Sequence, residues 1–382
     1  MIKTEQKITT ESAFDFSLVG PKERIVFFDI ETTGLTAGSS QLYLIGTATF
    51  EDGGWVLRQF FAETPGEEMV VLKSFKDLVN SRASAGRPIL VSYNGDTFDI
   101  PYLKSVGTQY GLGDIFQNTI SFDLYRFIKP CREIMGTPNM RLKTVEKLCG
   151  ICREDTYDGG ELIYVYEEFL RLKNILKGGC EDNELNDGLK ENCLKCLLLH
   201  NAEDVADMPK VMELYGYRLL KDGDFDFLSA EVIEVPKVKG KSGLVLDVKF
   251  KLRTSLPKEF YKERPGMTVS ASGEDPLLLE LCLDIYCGEL RYYFVDYKNY
   301  YYLPAEDRAV HKSLASFVPA DHRVKATAAT CYTRKEGRFF PEPAPIFVPV
   351  FHETKDGTRY AELTEEALAD GGKWKELLLA AL

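Results

Sequence analysis

The first strongly apolar run of the chain, residues 25–28, leads into two acidic residues, Asp29 and Glu31, with Ile30 between them. β-Branched and aromatic residues in so short a run predict a strand that is buried on both faces. Because side chains alternate along a strand, Asp29 and Glu31 are expected to point to the same side. Two neighbouring anions repel each other unless a cation or a hydrogen-bond donor lies between them. A strand that simply ends at solvent with two acids is the alternative at this point.

The pattern that follows predicts a mixed sheet around this first strand. Further strands are predicted over residues 41–50, 55–61, 88–93 and 120–123. The first two of these are separated by a glycine-containing turn, which is typical of a hairpin. Residues 67–82 place apolar side chains on one helical face, so the strand at 88–93 is expected to lie parallel to the first. Asp123 is predicted to cap the helix that follows it.

The second half of the chain changes in character twice. Helices are predicted over residues 141–149, 161–176 and 191–207, with a polar connection over 177–188. A mixed sheet followed by helices is typical of an α/β layered domain. From residue 223 onward, short strand-like runs such as 243–251 and 290–296 alternate with proline and glycine. The sequence therefore predicts two domains, 1–222 and 223–382, of which the second is β-rich or α+β.

Composition narrows the class of protein. The chain has 382 residues, 45% of them hydrophobic, and a formal net charge of −12. Such a charge argues against a broad basic surface that grips duplex nucleic acid, although a local cleft for nucleic acid remains compatible with it. The polar residues 1–12 lack the apolar core of a signal peptide, and no run of about 18 apolar residues predicts a membrane span. The nine cysteines fit reduced thiols, so a cytoplasmic location is expected.

A second acidic segment directly follows the apolar run at 88–93. Asn94 and the glycine after it predict a turn, and a helix is expected to begin near Asp99. An acid at a helix N-terminus can serve helix stability alone. However, parallel strands present ligands at their carboxyl ends, so Asp99 is expected to meet Asp29 and Glu31 at one edge of the sheet. Asp96 is the competing ligand position.

A third candidate position lies on a predicted helix. His200 and Asp204 are four residues apart, which places them on one helical face, one turn from each other. A solvated contact between the two side chains is the alternative. Pro209 is expected to kink or end that helix.

Together, these segments resemble the motifs of the DEDD 3′–5′ exonucleases, a superfamily with the ribonuclease-H-like fold. Asp29 and Glu31 resemble the first motif, the segment that contains Asp99 resembles the second, and His200 to Asp204 resembles the third. The second motif is similar to that of the proofreading domains of family B DNA polymerases. The intervening segments are similar to the YprB-like predicted exonucleases of bacteria, at residues 122–125, 141–146, 153–155 and 159–160. The resemblance covers about residues 22–220.

The resemblance implies a metal-dependent nuclease that hydrolyses phosphodiester bonds from 3′ ends. Its metal ligands would be Asp29, Glu31, Asp99 and Asp204, with Asp29 bridging two ions. Four carboxylates suit two hard divalent cations, Mg²⁺ or Mn²⁺, and such ions lie about 4 Å apart in two-metal sites. Ions at that spacing activate a water and stabilise the leaving 3′ oxygen.

The same resemblance makes nucleic acid the expected partner, most simply single-stranded ends. Tyr93, Asn94 and Thr32 are expected to contact the substrate, although a turn role for Asn94 is equally consistent with its sequence. The choice between DNA and RNA depends on contacts with the 2′-hydroxyl, which the sequence does not locate. Protein partners are unknown at this stage.

His200 departs from the pattern of the family. One branch has a tyrosine four residues before the last aspartate, and another has a histidine five residues before it. Here a histidine occupies the tyrosine's spacing. With a reference pKa of about 6.5, His200 is suited to accept or orient the proton of a water molecule near neutral pH. The unusual spacing keeps a second hypothesis open, a nucleic-acid-binding protein whose nuclease fold is weakly active or inactive.

Two pairs of cysteines offer a rival site. Cys149 and Cys152 form one CxxC pair, and Cys193 and Cys196 form another, which is a spacing found in zinc sites. The second pair lies in an apolar helical segment, where buried free thiols are the simpler interpretation. A zinc-stabilised interaction scaffold is the corresponding alternative function.

The C-terminal part carries basic and aromatic residues. The basic residues of its first segment are Lys237, Lys239, Lys241, Lys249, Lys251, Arg253, Lys258, Lys262 and Arg264. Tyrosines follow at 292, 293, 297 and 300–302, and later residues again mix the two types, among them Lys312, Arg323 and Lys325. Such a surface would suit phosphates and unpaired bases. Solvated strand faces and ordinary strand core are the alternatives.

Overall fold

The computed structural model describes residues 1–177, 183–236, 243–271 and 274–382. These residues form two units, Met1–Arg218 and Leu219–Leu382. The division into independent domains after residue 222 stays a prediction. The predicted polar connection over 177–188 lies partly outside the described residues, and Lys237, Lys239 and Lys241 lie wholly outside them.

A six-stranded mixed sheet forms the centre of the first unit. Its strands are β1 (Ile2–Lys7), β2 (Ile25–Thr32), β3 (Leu42–Glu51), β4 (Gly54–Phe61), β5 (Ile89–Ser92) and β6 (Ile120–Asp123). They are arranged in the order β1-β4-β3-β2-β5-β6. The predicted hairpin is the antiparallel pair β3–β4, and β5 lies parallel to β2, as predicted. β6 then extends the parallel half of the sheet.

Helices surround this sheet. They are α1 (Glu68–Ser81), α2 (Asp99–Gln109), α3 (Leu124–Ile128), α4 (Arg132–Met135), α5 (Leu142–Val145), α6 (Gly159–Lys177), α7 (Asn183–Ala206) and α8 (Met208–Val211). α9 (Tyr215–Asp222) follows at the boundary between the two units. The expected ribonuclease-H-like arrangement of a mixed sheet flanked by helices is confirmed.

The central strand β2 is buried on both faces, as its apolar sequence predicts. On one face, the rings of Phe28 and Phe75 have centroids 5.5 Å apart. On the other face, Phe27 packs against Trp55 at 4.9 Å. The apolar face predicted for α1 supplies Phe75 and the equally buried Val71 to this core. Packing on both sides holds β2 in place, and with it the two acids near its end.

The structure corrects several predicted element boundaries. The single helix predicted over 141–149 consists of α5 followed by a 3₁₀ turn, Glu146–Cys149. Gly150 then adopts a φ of 70°, which ends the helical path. α7 begins earlier than predicted, at Asn183, and ends at Ala206. Pro209 lies in the first turn of α8, so the predicted interruption is confirmed.

The strand β1 is one that the hydrophobic pattern does not reveal. It lies at the edge of the sheet, paired with β4. Most of its side chains are exposed, and Thr4 donates a hydrogen bond to Gln59 at 3.2 Å. Because such an edge strand contributes little to the core, it lacks the apolar run that identifies buried strands.

The second unit is rich in β-structure, as predicted. Its strands are β7 (Phe225–Glu234), β8 (Leu244–Leu252), β9 (Phe260–Arg264), β10 (Met267–Ala271), β11 (Leu278–Asp284), β12 (Tyr286–Tyr293), β13 (Tyr300–Leu303), β14 (Arg308–His311), β15 (Val324–Lys325), β16 (Tyr332–Glu342), β17 (Val350–His352) and β18 (Arg359–Glu362). The predicted strand over 290–296 thus begins and ends earlier, as β12. Short helices complete the unit: α10 (Lys312–Ala315), α11 (Glu365–Ala369) and α12 (Gly371–Ala381).

These strands form three sheets. One has five strands in the order β7-β8-β11-β10-β9, one is a small closed barrel of β12, β16, β18 and β17, and one has three strands in the order β14-β13-β15. Within the described ranges, no helix combines the length and the apolar composition that a membrane crossing requires.

Candidate active site

Asp29 and Glu31 extend from the last four residues of β2, on the same side of the strand. Glu31 is 8% exposed, and Asp29 is partly buried. Burial raises the pKa of Asp29, and the neighbouring charges of Asp204 and Glu31 raise it further. Burial likewise raises the pKa of Glu31, to which the charges of Asp204 and Asp99 add. The two acids therefore repel their neighbours, and a bound cation would relieve that repulsion.

Asp99 reaches the same place from the next parallel strand. It is the first residue of α2, and its Oδ1 accepts a hydrogen bond from the backbone N–H of Ile30 at 3.3 Å. Asp99 is buried, and this burial raises its pKa to about 7. The preceding turn is tight, because a Cβ on Gly95 would lie 2.3 Å from the Ser92 hydroxyl oxygen. Glycine at this position permits the close turn that delivers Asp99 to β2.

α7 lies directly against the sheet beside Asp29. A Cβ on Gly46, which pairs with Asp29 across β2 and β3, would lie 2.2 Å from Asn201 Oδ1. The missing side chain thus permits helix and strand to approach closely. Asn201 donates through Nδ2 to Asp29 Oδ2 at 3.2 Å, and its own Oδ1 accepts from Gln59 at 3.0 Å. Asn201 therefore orients the Asp29 carboxylate, a role that sequence reasoning missed.

The same helix places His200 and Asp204 at the acids of β2. His200 Nε2 lies 3.8 Å from Glu31 Oε1 and 3.4 Å from Asp204 Oδ2. One ligand atom from each of Glu31, His200 and Asp204 lies within 4.8 Å of the others. Asp29 and Asp99 stand outside this group of three, but Asp99 is close enough to raise the pKa of both Asp29 and Glu31, and Asp204 and Glu31 raise that of Asp29. The four predicted carboxylates and His200 are thus brought together at one edge of the sheet.

Comparison with known proteins identifies the family. Residues 26–215 match the model of the RNase_H superfamily. This part of the chain is an RNase_H superfamily domain. This match confirms the expected fold. The matched residues include all four carboxylates and His200.

Two curated proteins are similar to part of this chain in sequence. The YprB protein of Bacillus subtilis is 29% identical over 171 residues, which cover 43% of this chain and 40% of that protein. A DNA polymerase of Desulfurococcus sp. (strain Tok) is 27% identical over 188 residues, which cover 42% of this chain and 23% of the polymerase. The chain therefore matches less than half of the length of either relative. The expected likeness to YprB is confirmed.

Solved structures of Escherichia coli exonuclease I are also similar. A zinc-bound complex with single-stranded DNA has 14% sequence identity and a TM-score of 0.29, covering 59% of this chain and 54% of that one. A complex with a dA16 oligonucleotide has 12% identity and a TM-score of 0.28, covering 60% and 54% of the respective chains.

In the RNase_H domain, Asp155 determines which nitrogen of His200 carries a proton. Asp155 Oδ2 lies 2.7 Å from His200 Nδ1 and 2.7 Å from Lys143 Nζ. Burial raises the pKa of Asp155, but the hydrogen bond from Lys143 and the nearby His200 bring it below its ordinary value. The ionised carboxylate can only accept hydrogen bonds, so Nδ1 carries the hydrogen. In the neutral imidazole, the lone pair is then on Nε2, which faces Glu31 and Asp204.

Arg153 joins Asp204 to a second buried acid. Its Nη2 lies 2.5 Å from Asp204 Oδ1 and 2.5 Å from Glu146 Oε1, and its Nε lies 2.6 Å from Glu146 Oε2. The side chains of Arg153 and Glu146 are 6% and 2% exposed. Charge-assisted hydrogen bonds of this kind fix the orientation of Asp204. Arg153 and Asp155 lie in a segment that resembles the YprB-like proteins, but the sequence alone assigns them no role.

The residues predicted at the substrate are engaged in local structure. The Tyr93 hydroxyl donates to the carbonyl of Met140 at 2.7 Å, and the Thr32 hydroxyl donates to that of Gly34 at 2.8 Å. Asn94 has a φ of 72° and accepts at Oδ1 from the hydroxyl of Thr97, which is a turn role. Contacts of Tyr93, Asn94 and Thr32 with substrate stay predictions.

Two other acids near the turn have structural partners. Asp123 caps α3, as predicted, by accepting from the backbone N–H of Arg126. Asp96 accepts from the Ser121 hydroxyl at 2.5 Å and lies 3.5 Å from the Arg126 guanidinium. Asp99 rather than Asp96 therefore contacts β2.

The cysteines do not join the group of candidate ligands. In the parts of the chain that the structure describes, Glu31, His200 and Asp204 are the one cluster of three or more side chains able to hold a metal ion. Cys149 is buried and Cys152 is exposed, whereas Cys193 and Cys196 are half-buried. This arrangement gives no support to a zinc-stabilised scaffold.

The buried acids should make the stability of the metal-free protein depend on pH. The pKa of Asp99 is about 7 in the folded protein, against 3.8 as its ordinary value. The stabilisation that this group provides is therefore complete below about pH 4 and is lost as the pH rises through 7. We expect Asp99→Asn, in EDTA, to gain stability relative to the unchanged protein over this range, by up to about 4 kcal/mol. Urea denaturation at several pH values measures the difference.

A matched control for this comparison is Asp77→Asn, since Asp77 is exposed on α1. It should change stability by no more than about 0.5 kcal/mol at any pH. Above pH 7, saturating Mn²⁺ or Mg²⁺ should remove the loss of stability that the ionised Asp99 causes in the unchanged protein. If the free energies of unfolding of Asp99→Asn and of the unchanged protein differ by the same amount from pH 4 to 8, Asp99 does not have a raised pKa.

Proposed function

We propose that the RNase_H domain is a metal-dependent nuclease that releases nucleotides from the 3′ ends of single-stranded DNA or RNA. The observation that carries the proposal is the convergence of Glu31, His200 and Asp204, with ligand atoms within 4.8 Å of one another. Asp29 and Asp99 add two further carboxylates beside them. Membership of the RNase_H superfamily supports this assignment.

The residues present fit divalent cations. Burial raises the pKa of Asp29, Glu31 and Asp99, and the charge of Asp204 raises all three further. Asp204 itself pairs with Arg153. Oxygen ligands of this kind are those that Mg²⁺ and Mn²⁺ prefer. We assign Asp29, Glu31 and Asp204 to one ion and Asp29 with Asp99 to the other.

Each side chain then has a distinct task. Bound ions would lower the pKa of a water molecule and stabilise the leaving 3′ oxygen. His200 Nε2 would be the acceptor of a water proton in such a site, because Asp155 keeps the hydrogen on Nδ1. Asn201 orients Asp29, and Arg153 orients Asp204. Such hydrogen-bonded partners of metal ligands commonly change affinity or activity about 10- to 100-fold when removed.

A 5′-labelled single-stranded oligonucleotide tests the proposal. In Mn²⁺ or Mg²⁺, we expect a ladder of products that shorten from the 3′ end, and EDTA should abolish it. A circular single strand of the same sequence has no ends and is the matched control. Cleavage of the circle would overturn the exonuclease assignment. No product from either substrate in any divalent metal would favour a binding protein without turnover.

A further inference from the structure

The three-stranded sheet of the second unit borders an open pocket of about 270 Å³. In this sheet β13 lies between β14 and β15, and Tyr301 pairs with Lys325 across β13 and β15. Three lysines and three tyrosines dominate the lining: Lys298, Lys312, Lys325, Tyr297, Tyr300 and Tyr301. As far as the structure describes the chain, no acidic side chain lines this lysine–tyrosine pocket.

The lysines of the pocket differ from other basic residues of this unit. All three are exposed, and Lys312 donates to the uncharged Asn299 side chain at 3.0 Å. By contrast, Arg253 pairs with Asp224 and Asp226 at 2.8 and 2.7 Å. Among the described residues, the pocket lysines have no comparable ion pair. A chain of net charge −12 thus carries a local concentration of positive charge at this pocket.

The tyrosines provide ring surfaces next to that charge. Tyr297 is 37% exposed. Tyr300 stacks on Phe294, with ring centroids 4.6 Å apart and an interplanar angle of 12°, which holds its ring in place. The Arg323 guanidinium lies 5.1 Å from the centroid of Tyr301 and adds positive charge. Aromatic rings beside a cationic groove are the combination that binds unpaired nucleotides.

We infer that the lysine–tyrosine pocket binds one nucleotide of a single-stranded nucleic acid, with phosphates against the lysines and a base against a tyrosine ring. Its volume of about 270 Å³ lies just below the usual range of ligand pockets, roughly 300–1,000 Å³, so the pocket suits one nucleotide and not a duplex. An acidic peptide would use the lysines but would leave the rings without a stacking partner. The tyrosines therefore favour nucleic acid. The inference goes beyond the proposed nuclease, because this binding requires neither metal ion nor turnover.

Fluorescence anisotropy of a labelled oligothymidylate with the full chain in EDTA tests the inference. Each of Lys298→Ala, Lys312→Ala and Lys325→Ala should weaken binding and lower the slope of log K against log salt by about 0.7. Tyr297→Ala should weaken binding between about fivefold and a hundredfold, whereas Tyr297→Phe should retain it. Because EDTA prevents metal-dependent turnover, the result is independent of whether the chain is a nuclease.

Matched controls come from the same unit. Lys355→Ala and Tyr261→Ala remove exposed side chains of the same types outside the pocket, and neither should change the affinity or the salt slope. An abasic oligonucleotide of equal charge should bind more weakly than the oligothymidylate. Equal affinity for the abasic strand, or a triple lysine variant that binds as the unchanged protein does, would overturn the inference. Polyaspartate that competes as well as the oligonucleotide would overturn it in favour of an acidic partner.

Discussion

Asp29→Asn is expected to abolish metal-dependent nucleotide release and, in EDTA, to raise the stability of the folded protein. Asp29 is the acid that the proposal shares between two ions, and several kcal/mol of charge stabilisation depend on such a ligand. Since about 1.4 kcal/mol corresponds to a tenfold change in rate, turnover should fall at least about a thousandfold. Without metal, the same substitution removes a carboxylate that is buried next to Asp204 and Glu31. Nucleotide release and urea denaturation measure the two effects.

The opposite signs of these effects separate a metal ligand from a residue that merely supports the fold. In the Asp29→Asn variant, the amide oxygen of the new side chain can still accept the hydrogen bond from Asn201, so the local packing is retained. Substitution of a residue that only supports the fold would lower activity and stability together. Asp52→Asn is the control, because Asp52 is exposed in the turn between β3 and β4 and asparagine tolerates its φ of 47°. Turnover of Asp29→Asn within threefold of the unchanged protein would contradict the proposed role.

The fold of the RNase_H domain could be predicted from local patterns, because its main elements are locally encoded. β2 is apolar on both faces, and Phe28 and Phe27 pack on opposite sides of it. The hairpin β3–β4 is indicated by the glycine turn between its strands, and the parallel strand β5 is indicated by its apolar run. β1 has neither, because a polar edge strand is stabilised by its pairing with β4 and not by burial. Its existence depends on a strand about 50 residues away.

The acids of the candidate site could be predicted for the same reason, whereas their partners could not. Asp29 lies near the end of β2, and Asp99 follows β5, which is parallel to it. The rule that parallel strands present ligands at their carboxyl ends needs no knowledge of side-chain contacts. The pairing of Asp155 with His200 joins an irregular segment to α7 across 45 residues. The close approach of Asn201 to Gly46 depends on the packing of α7 on β3. Contacts of this kind are set by tertiary structure, for which the spacing of residues in the sequence carries no signal.

Arg153→Met should destabilise the first unit more than any surface substitution. The change removes one partner from a buried ion pair and leaves the buried Glu146 without its cation. Breaking a buried pair in this way costs about 3–5 kcal/mol. Urea denaturation followed by fluorescence measures the loss, in a Trp374→Phe background so that the signal comes from Trp55 of β4. Arg171→Met is the matched control, because Arg171 is 58% exposed and solvent screens its pair with Glu168, so this substitution should leave stability nearly unchanged.

The orphaned Glu146 explains the loss, so removing it should restore stability. The double variant Arg153→Met with Glu146→Leu leaves no uncompensated buried charge and should recover much of the lost free energy of unfolding. Burial raises the pKa of Glu146 even with Arg153 present, and without Arg153 that pKa rises further. A raised pKa means that the deficit of Arg153→Met should shrink as the pH falls and Glu146 becomes protonated. A deficit below about 1 kcal/mol at pH 7.5, or one that is unchanged in the double variant, would show that Arg153 acts on Asp204 alone.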